Sequence, residues 1–192
     1  MTRKICILYT ETNGLHNTDE YLSKKTLFEF GRLVALNYII GTREGTEFKV
    51  IKKVREILKP KCINFNKEAI KIHGIKQKKA EKRGVDNCVI MKNLEKDLEK
   101  VGVIVSHNLP FHIKTLQVEC FRTCTYINFD KYILIDTINF FHKYEFLKLK
   151  DLSKKVLSKS YTDKKAKFNT SIIQKIFLEL YNQYEKSVKV DN

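Results

Sequence analysis

The stretch Leu8–Leu15 reads LYTETNGL. It overlaps the end of the apolar run Lys4–Tyr9, whose β-branched Ile5 and Ile7 predict a buried strand. A second stretch, Ser106–His112, reads SHNLPFH and closes the run Val101–Ser106, which predicts a central strand. Pro110 sits where the first turn of a helix tolerates it, so a helix from about Pro110 to Cys120 follows. Working outward, Leu27–Ile40 predicts a second strand and Glu47–Val54 a third, with Gly41 and Gly45 punctuating a hairpin between them. Asn66–Ile72 predicts a short helix after the Lys59-Pro60 break. Val89–Lys100 predicts another, with Ile90, Leu94 and Leu98 on one face. Tyr132–Asp136 predicts a last strand, and Thr137–Tyr144, Leu149–Leu157 and Asn169–Lys186 predict helices. Strands first as a meander, then alternating with helices, indicate an α/β fold with a mixed sheet.

With 192 residues, 43% hydrophobic and 31% charged, the chain has the composition of a soluble globular protein, which excludes a disordered one. It is expected to form one domain over residues 1–186, with a tail at 187–192. No apolar run approaches the roughly 20 residues of a membrane span. The run Ile5–Tyr9 is too short for a signal-peptide core. Five cysteines form no paired framework. Cys120 and Cys124 lack a second Cys/His pair at zinc spacing, so buried free thiols and a reducing compartment, cytoplasmic or nuclear, are expected. The net charge of +15 comes mostly from lysine, since only six of the 37 basic residues are Arg. Such an excess favours a polyanionic partner. It equally follows from an AT-rich genome, which inflates Lys, Asn and Ile together and would fit a large cytoplasmic DNA virus.

Further residues join the two opening stretches. Glu11 is followed by Thr12, Gly14 and Leu15; Ala69 precedes Ile72-His73-Gly74-Ile75; His107-Asn108 leads to Phe111, with Leu116 and Glu119 at helical offsets; Ile135-Asp136-Thr137 closes a later strand. Together they resemble the DnaQ-like 3′–5′ exonucleases of the DEDDh type, from Ile5 to about Leu180. The resemblance implies a ribonuclease H-like mixed sheet of about five strands flanked by helices. In that family four carboxylates hold two metal ions, and a histidine acts as general base. Two cations about 4 Å apart stabilise the attacking and leaving oxygens of phosphodiester hydrolysis. Cations so close need several carboxylates around them.

This chain departs from that pattern. Tyr9 stands at the leading Asp position, His112 at the second Asp, and Lys164 and Asn169 at the third motif's His and Asp; of the five expected groups only Glu11 stands. A phenol with an ordinary pKa of about 10 is a poor ligand for a hard cation near neutral pH. His112 and Lys164 place basic groups where the ions would lie, and with Glu11 would form a metal-free ionic cluster. The expectation is a pseudo-exonuclease with no catalytic residue, metal or cofactor, and therefore not an enzyme.

What the resemblance leaves is the cleft. Thr12, Gly14, Leu15, Asn108 and Phe111 would touch a strand there, and Lys164, Lys165 and Lys167 its phosphates. The plainer reading makes Phe111 and Leu15 core and the lysines a solvated face. His73 and His107 would orient loops, Asp136 would be structural, and His16 and His142 would be ordinary surface histidines. Lys76–Arg83 (KQKKAEKR) is either a nucleic-acid contact or a solvated helix or loop. The function expected is nucleic-acid binding as a non-catalytic subunit in DNA or RNA metabolism, within a larger protein complex or as a homodimer, and without a membrane. The alternative is a structural protein–protein scaffold. Behind both stands an active exonuclease with unorthodox ligands.

Overall fold

Alternation along the first strand, β1 (Lys4–Thr12), divides the core in two. Ile5 and Ile7 enter one hydrophobic cluster, and Cys6 and Leu8 the other. The computed structural model describes residues 3–18, 20–59, 64–139, 147–158 and 169–190, without the side chains of 187–190. Four more strands, β2 (Leu33–Glu44), β3 (Glu47–Ile57), β4 (Val101–Ser106) and β5 (Ile133–Asp136), complete a sheet of order β3-β2-β1-β4-β5. The β1–β2 and β2–β3 pairs are antiparallel; β1–β4 and β4–β5 are parallel. This is the mixed five-stranded sheet expected from the sequence.

Among the described residues six helices accompany it: α1 (Lys67–His73), α2 (Gln77–Arg83), α3 (Asn87–Leu98), α4 (Leu109–Thr123), α5 (Leu149–Leu157) and α6 (Asn169–Val190). Ile90, Met91, Leu94 and Leu98 of α3 and Leu116 of α4 cover one face of the sheet. Leu149 and Leu152 of α5 and Ile173, Ile176 and Phe177 of α6 cover the other. A small third cluster (Val34, Ala35, Phe65, Ile75 and Ala80) holds α1 and α2 against β2. Asn66 caps α1 through Glu68 N, and Gly74, at φ 70°, ends it in a left-handed conformation that glycine adopts freely.

The second strand begins at Leu33 rather than Leu27, and Leu27–Glu29 form a 3-10 turn. The reason is that Leu27, Phe30 and Gly31 give their carbonyls to the Arg122 guanidinium, not to a ladder. Lys76–Arg83 is a helix preceded by one residue of extended chain. The helix expected over Thr137–Tyr144 falls mostly outside the described residues. Among the described residues β3 is an edge strand whose strand partner is β2, and it carries exposed Lys49, Lys52, Lys53 and Arg55. Cys6 and Cys120 are buried thiols as expected, whereas Cys124 is exposed. No helix among the described residues is long and apolar enough to cross a membrane.

Candidate functional site

Because odd positions of β1 face α5 and α6, Glu11 at its end meets Asn169 in the first turn of α6, with Asn169 Nδ2 3.4 Å from Glu11 Oε1. Even positions face α4, so Thr10 meets His112. The turn into α4 is fixed by Asp136, whose carboxylate accepts the amides of Asn108 and Leu109, both at 2.9 Å. Asn108 is thereby held at φ 65°, a left-handed conformation that Asn tolerates. Its side chain does not cap the helix and instead lines a cavity of about 560 Å³. Tyr9, Glu11, Thr12, Gly14, Leu15, Asn108, Phe111, His112 and Asn169 all line this one cavity, and α1 closes its side with Glu68, Ala69, Ile72 and His73. The structure thus brings together the described residues that the sequence reading placed at the altered motif positions and in the cleft. Lys164, Lys165 and Lys167 lie outside the described residues.

His112 is not part of an ionic cluster. It is 2% exposed, and burial pushes its imidazole down to about 3, so it is neutral at physiological pH. Its Nδ1 accepts the Thr10 amide at 3.2 Å, and its Nε2 donates to the His107 carbonyl at 3.0 Å. The Thr10 hydroxyl adds a contact of 2.7 Å to the same Nδ1. The backbone amide fixes the tautomer, because a protonated Nδ1 could not accept it. His112 therefore staples β1 to the start of α4, with its ring 4.4 Å from that of Tyr9. A basic side chain here supplies no positive charge, which corrects the sequence reading.

Leu15 is 75% exposed on the cavity rim, so it is not core. Phe111 is half-buried between His16 and His112, with ring centroids 5.0 and 5.5 Å away. The Thr12 hydroxyl donates to the Gly14 carbonyl at 2.6 Å, which sets the turn but removes that proton from ligand binding. His107 and His73 do orient loops, through Thr137 Oγ1 and the Ile75 amide, each at 2.9 Å.

Residues 13–18 and 20–32 carry the rim and are tied down by groups the sequence reading missed. His16 is not an ordinary surface histidine. Its Nδ1 accepts the Gly31 amide at 3.2 Å, its Nε2 lies 3.3 Å from the Thr115 hydroxyl, and its ring packs against Phe30 and Phe111. Burial, followed by the nearby Lys114, lowers its pKa. Glu119, fully buried on α4, accepts the Leu33 amide at 3.1 Å and Asn87 Nδ2 at 3.2 Å, and pairs with Arg122 at 2.7 Å. Arg122 then donates to the carbonyls of Leu27, Phe30 and Gly31. A Cβ on Gly31 would lie 2.3 Å from the Gly14 carbonyl, so only glycine lets the two ends of this segment meet. Arg122, three residues after Glu119 and just past the helix predicted to about Cys120, was the one local signal available.

The described donors do not fit a pair of bound cations. The carboxylates among the described lining are Glu11 and Glu68, both His112 nitrogens are turned inward, and no group of three or more His, Cys, Asp or Glu among the described residues could hold a metal ion.

An antiparallel meander joined to two parallel strands, with the end of β1 facing the helix after β4, is the ribonuclease H-like fold. Solved structures of exonucleases share it. E. coli exonuclease I in complex with a dT13 oligonucleotide matches with a TM-score of 0.76 at 13% identity, over 98% of this chain and 43% of that one. A 3′-exonuclease in 3′-end-specific recognition of the histone mRNA stem-loop matches with a TM-score of 0.71 at 14% identity, over 95% of this chain and 83% of that one. This chain thus spans less than half of exonuclease I. No protein-family profile and no curated protein sequence matches it. The expectation that the chain is not an enzyme is overturned. The structures sharing its fold are exonucleases, and no described residue demonstrates that catalysis is lost.

Proposed function

We propose that this chain binds the end of a nucleic-acid strand in the cavity around Glu11. The observation that carries this reading is the exposed Leu15 on the rim of a cavity that Gly14, Asn108 and Phe111 also line. An exposed leucine and a half-buried phenylalanine offer apolar faces to bases, and such stacking is sequence-tolerant because every base has a π-face. The net charge of +15 draws a polyanion toward them. Structures of similar fold solved with an oligonucleotide or in RNA 3′-end recognition support the same ligand class.

The test uses labelled single-stranded and duplex DNA and RNA, with Mg²⁺, Mn²⁺ or EDTA, reading binding and cutting together. Salt-sensitive binding is expected, weakened about ten-fold or more by Phe111→Ala or Leu15→Ala, on the order of 1–3 kcal/mol per stacked base. Wild-type protein that retains no nucleic acid at low salt sinks the proposal. Trimming that needs a divalent ion and disappears in Glu11→Gln would add turnover to binding.

A further inference from the structure

Beside the cavity stands a cationic ledge that the strand-end reading does not use. Residues 67–83, spanning α1 and α2, carry seven Lys or Arg against two Glu, and all seven basic side chains are exposed. Lys71 is paired with Glu68 at 2.9 Å, and Glu81 accepts from Gln77. Among the described residues no carboxylate pairs with Lys78, Lys79 or Lys82. On α2, Lys78 and Lys82, Lys79 and Lys82, and Lys79 and Arg83 are neighbours at helical spacing, where like charges oppose the helix. A helix of seven residues is marginal by itself. Buried Ile75 and Ala80 hold it in place and leave the lysines directed outward. Lys82 and Arg83 lie in the last turn of α2, where the helix dipole favours cations, whereas Lys78 and Lys79 stand in its first turn, where the dipole opposes them.

Position gives them a use. The α1 wall of the cavity, from Asn66 to His73, leads through Gly74 directly into α2. We propose that α2 is the continuation of the strand-binding site, a track where Lys78, Lys79 and Lys82 neutralise phosphates of the nucleotides that follow the bound end. This rests on the strand-end reading above.

The experiment compares a thymidine trinucleotide, short enough to sit largely in the cavity, with a twelve-nucleotide oligothymidine in a salt titration. Lys78→Gln/Lys79→Gln/Lys82→Gln is expected to weaken the longer oligonucleotide at least ten-fold. It should also reduce the slope of log affinity against log salt by about 2, from roughly 0.7 per phosphate contact on a single strand. The trinucleotide should change less than two-fold. The matched control removes Lys92 and Lys96, exposed on α3, and Lys100, exposed in the turn after it, and should leave both ligands within two-fold. An equal loss in the control, or no loss in the α2 variant, overturns the track. So does an α2 variant that keeps the oligonucleotide and loses only anionic phospholipid vesicles. Phe111→Ala separates the two readings: if it weakens both ligands while the α2 variant is silent, the cavity stands and the track falls. Wild-type protein that binds neither ligand removes both.

Discussion

Glu11 is 7% exposed and lines the cavity in which the strand end is proposed to sit. A carboxylate there repels phosphate, and the repulsion grows as the surroundings become less polar. In EDTA, Glu11→Gln is therefore expected to tighten oligonucleotide binding by about 3- to 10-fold, the size of an unfavourable charge contact at a partly screened distance. Binding unchanged or weakened by this substitution in EDTA would place the phosphates away from Glu11. Asn169 contacts the same carboxylate and keeps a neutral amide beside it, so the substitution exchanges one hydrogen-bonding group for another of equal size.

At the scale of elements, α4 organises the site because each of its turns holds a different segment. Its start is fixed by Asp136, His112 reaches β1, and Glu119 with Arg122 reaches residues 27–33. Arg122→Met would leave Glu119 charged and fully buried, and three carbonyls short of a donor. The expected loss is about 3–5 kcal/mol in urea unfolding. Adding Glu119→Gln should recover part of it, because the stranded charge is removed; no recovery would mean that the carbonyl contacts carry the whole effect. This network also explains where the sequence was legible. LYTETNGL and SHNLPFH each end a strand of strong apolar pattern, and strand ends at one edge of a mixed sheet must meet, so the cavity residues could be gathered in advance. Leu27–Phe30 were apolar enough to pass for strand, yet their backbone is claimed by a guanidinium more than 90 residues away. His16 was illegible for the same reason, since Thr115 lies 99 residues on. His112 was placed correctly and charged wrongly: its position follows from the motif, but its neutrality follows from burial.

Across the whole molecule, four histidines, His16, His73, His107 and His112, have pKa values lowered first by burial, to about 4 for His73 and about 3 for His112. Unfolded, each would titrate near 6.5, so below that pH the unfolded chain binds more protons than the folded one and stability falls. For His112 the loss runs from about pH 6.5 down to about 3, at up to about 1.4 kcal/mol per pH unit. The urea midpoint should thus drop between pH 7 and pH 5, and less steeply in His112→Gln; equal slopes would remove His112 from the titration. The edge strand β3 has a consequence of another kind. Among the described residues no strand pairs with its outer edge before Ile57, whose carbonyl accepts the Val85 amide, and Val50 and Ile51 are 47% and 53% exposed, which together make a template for adding a strand from a neighbouring molecule. Lys49, Lys52, Lys53 and Arg55 stand guard along it, since a second copy would bring the same charges into register. Acetylation of those lysines would disarm the edge, and the intact native fold could then polymerise without unfolding first.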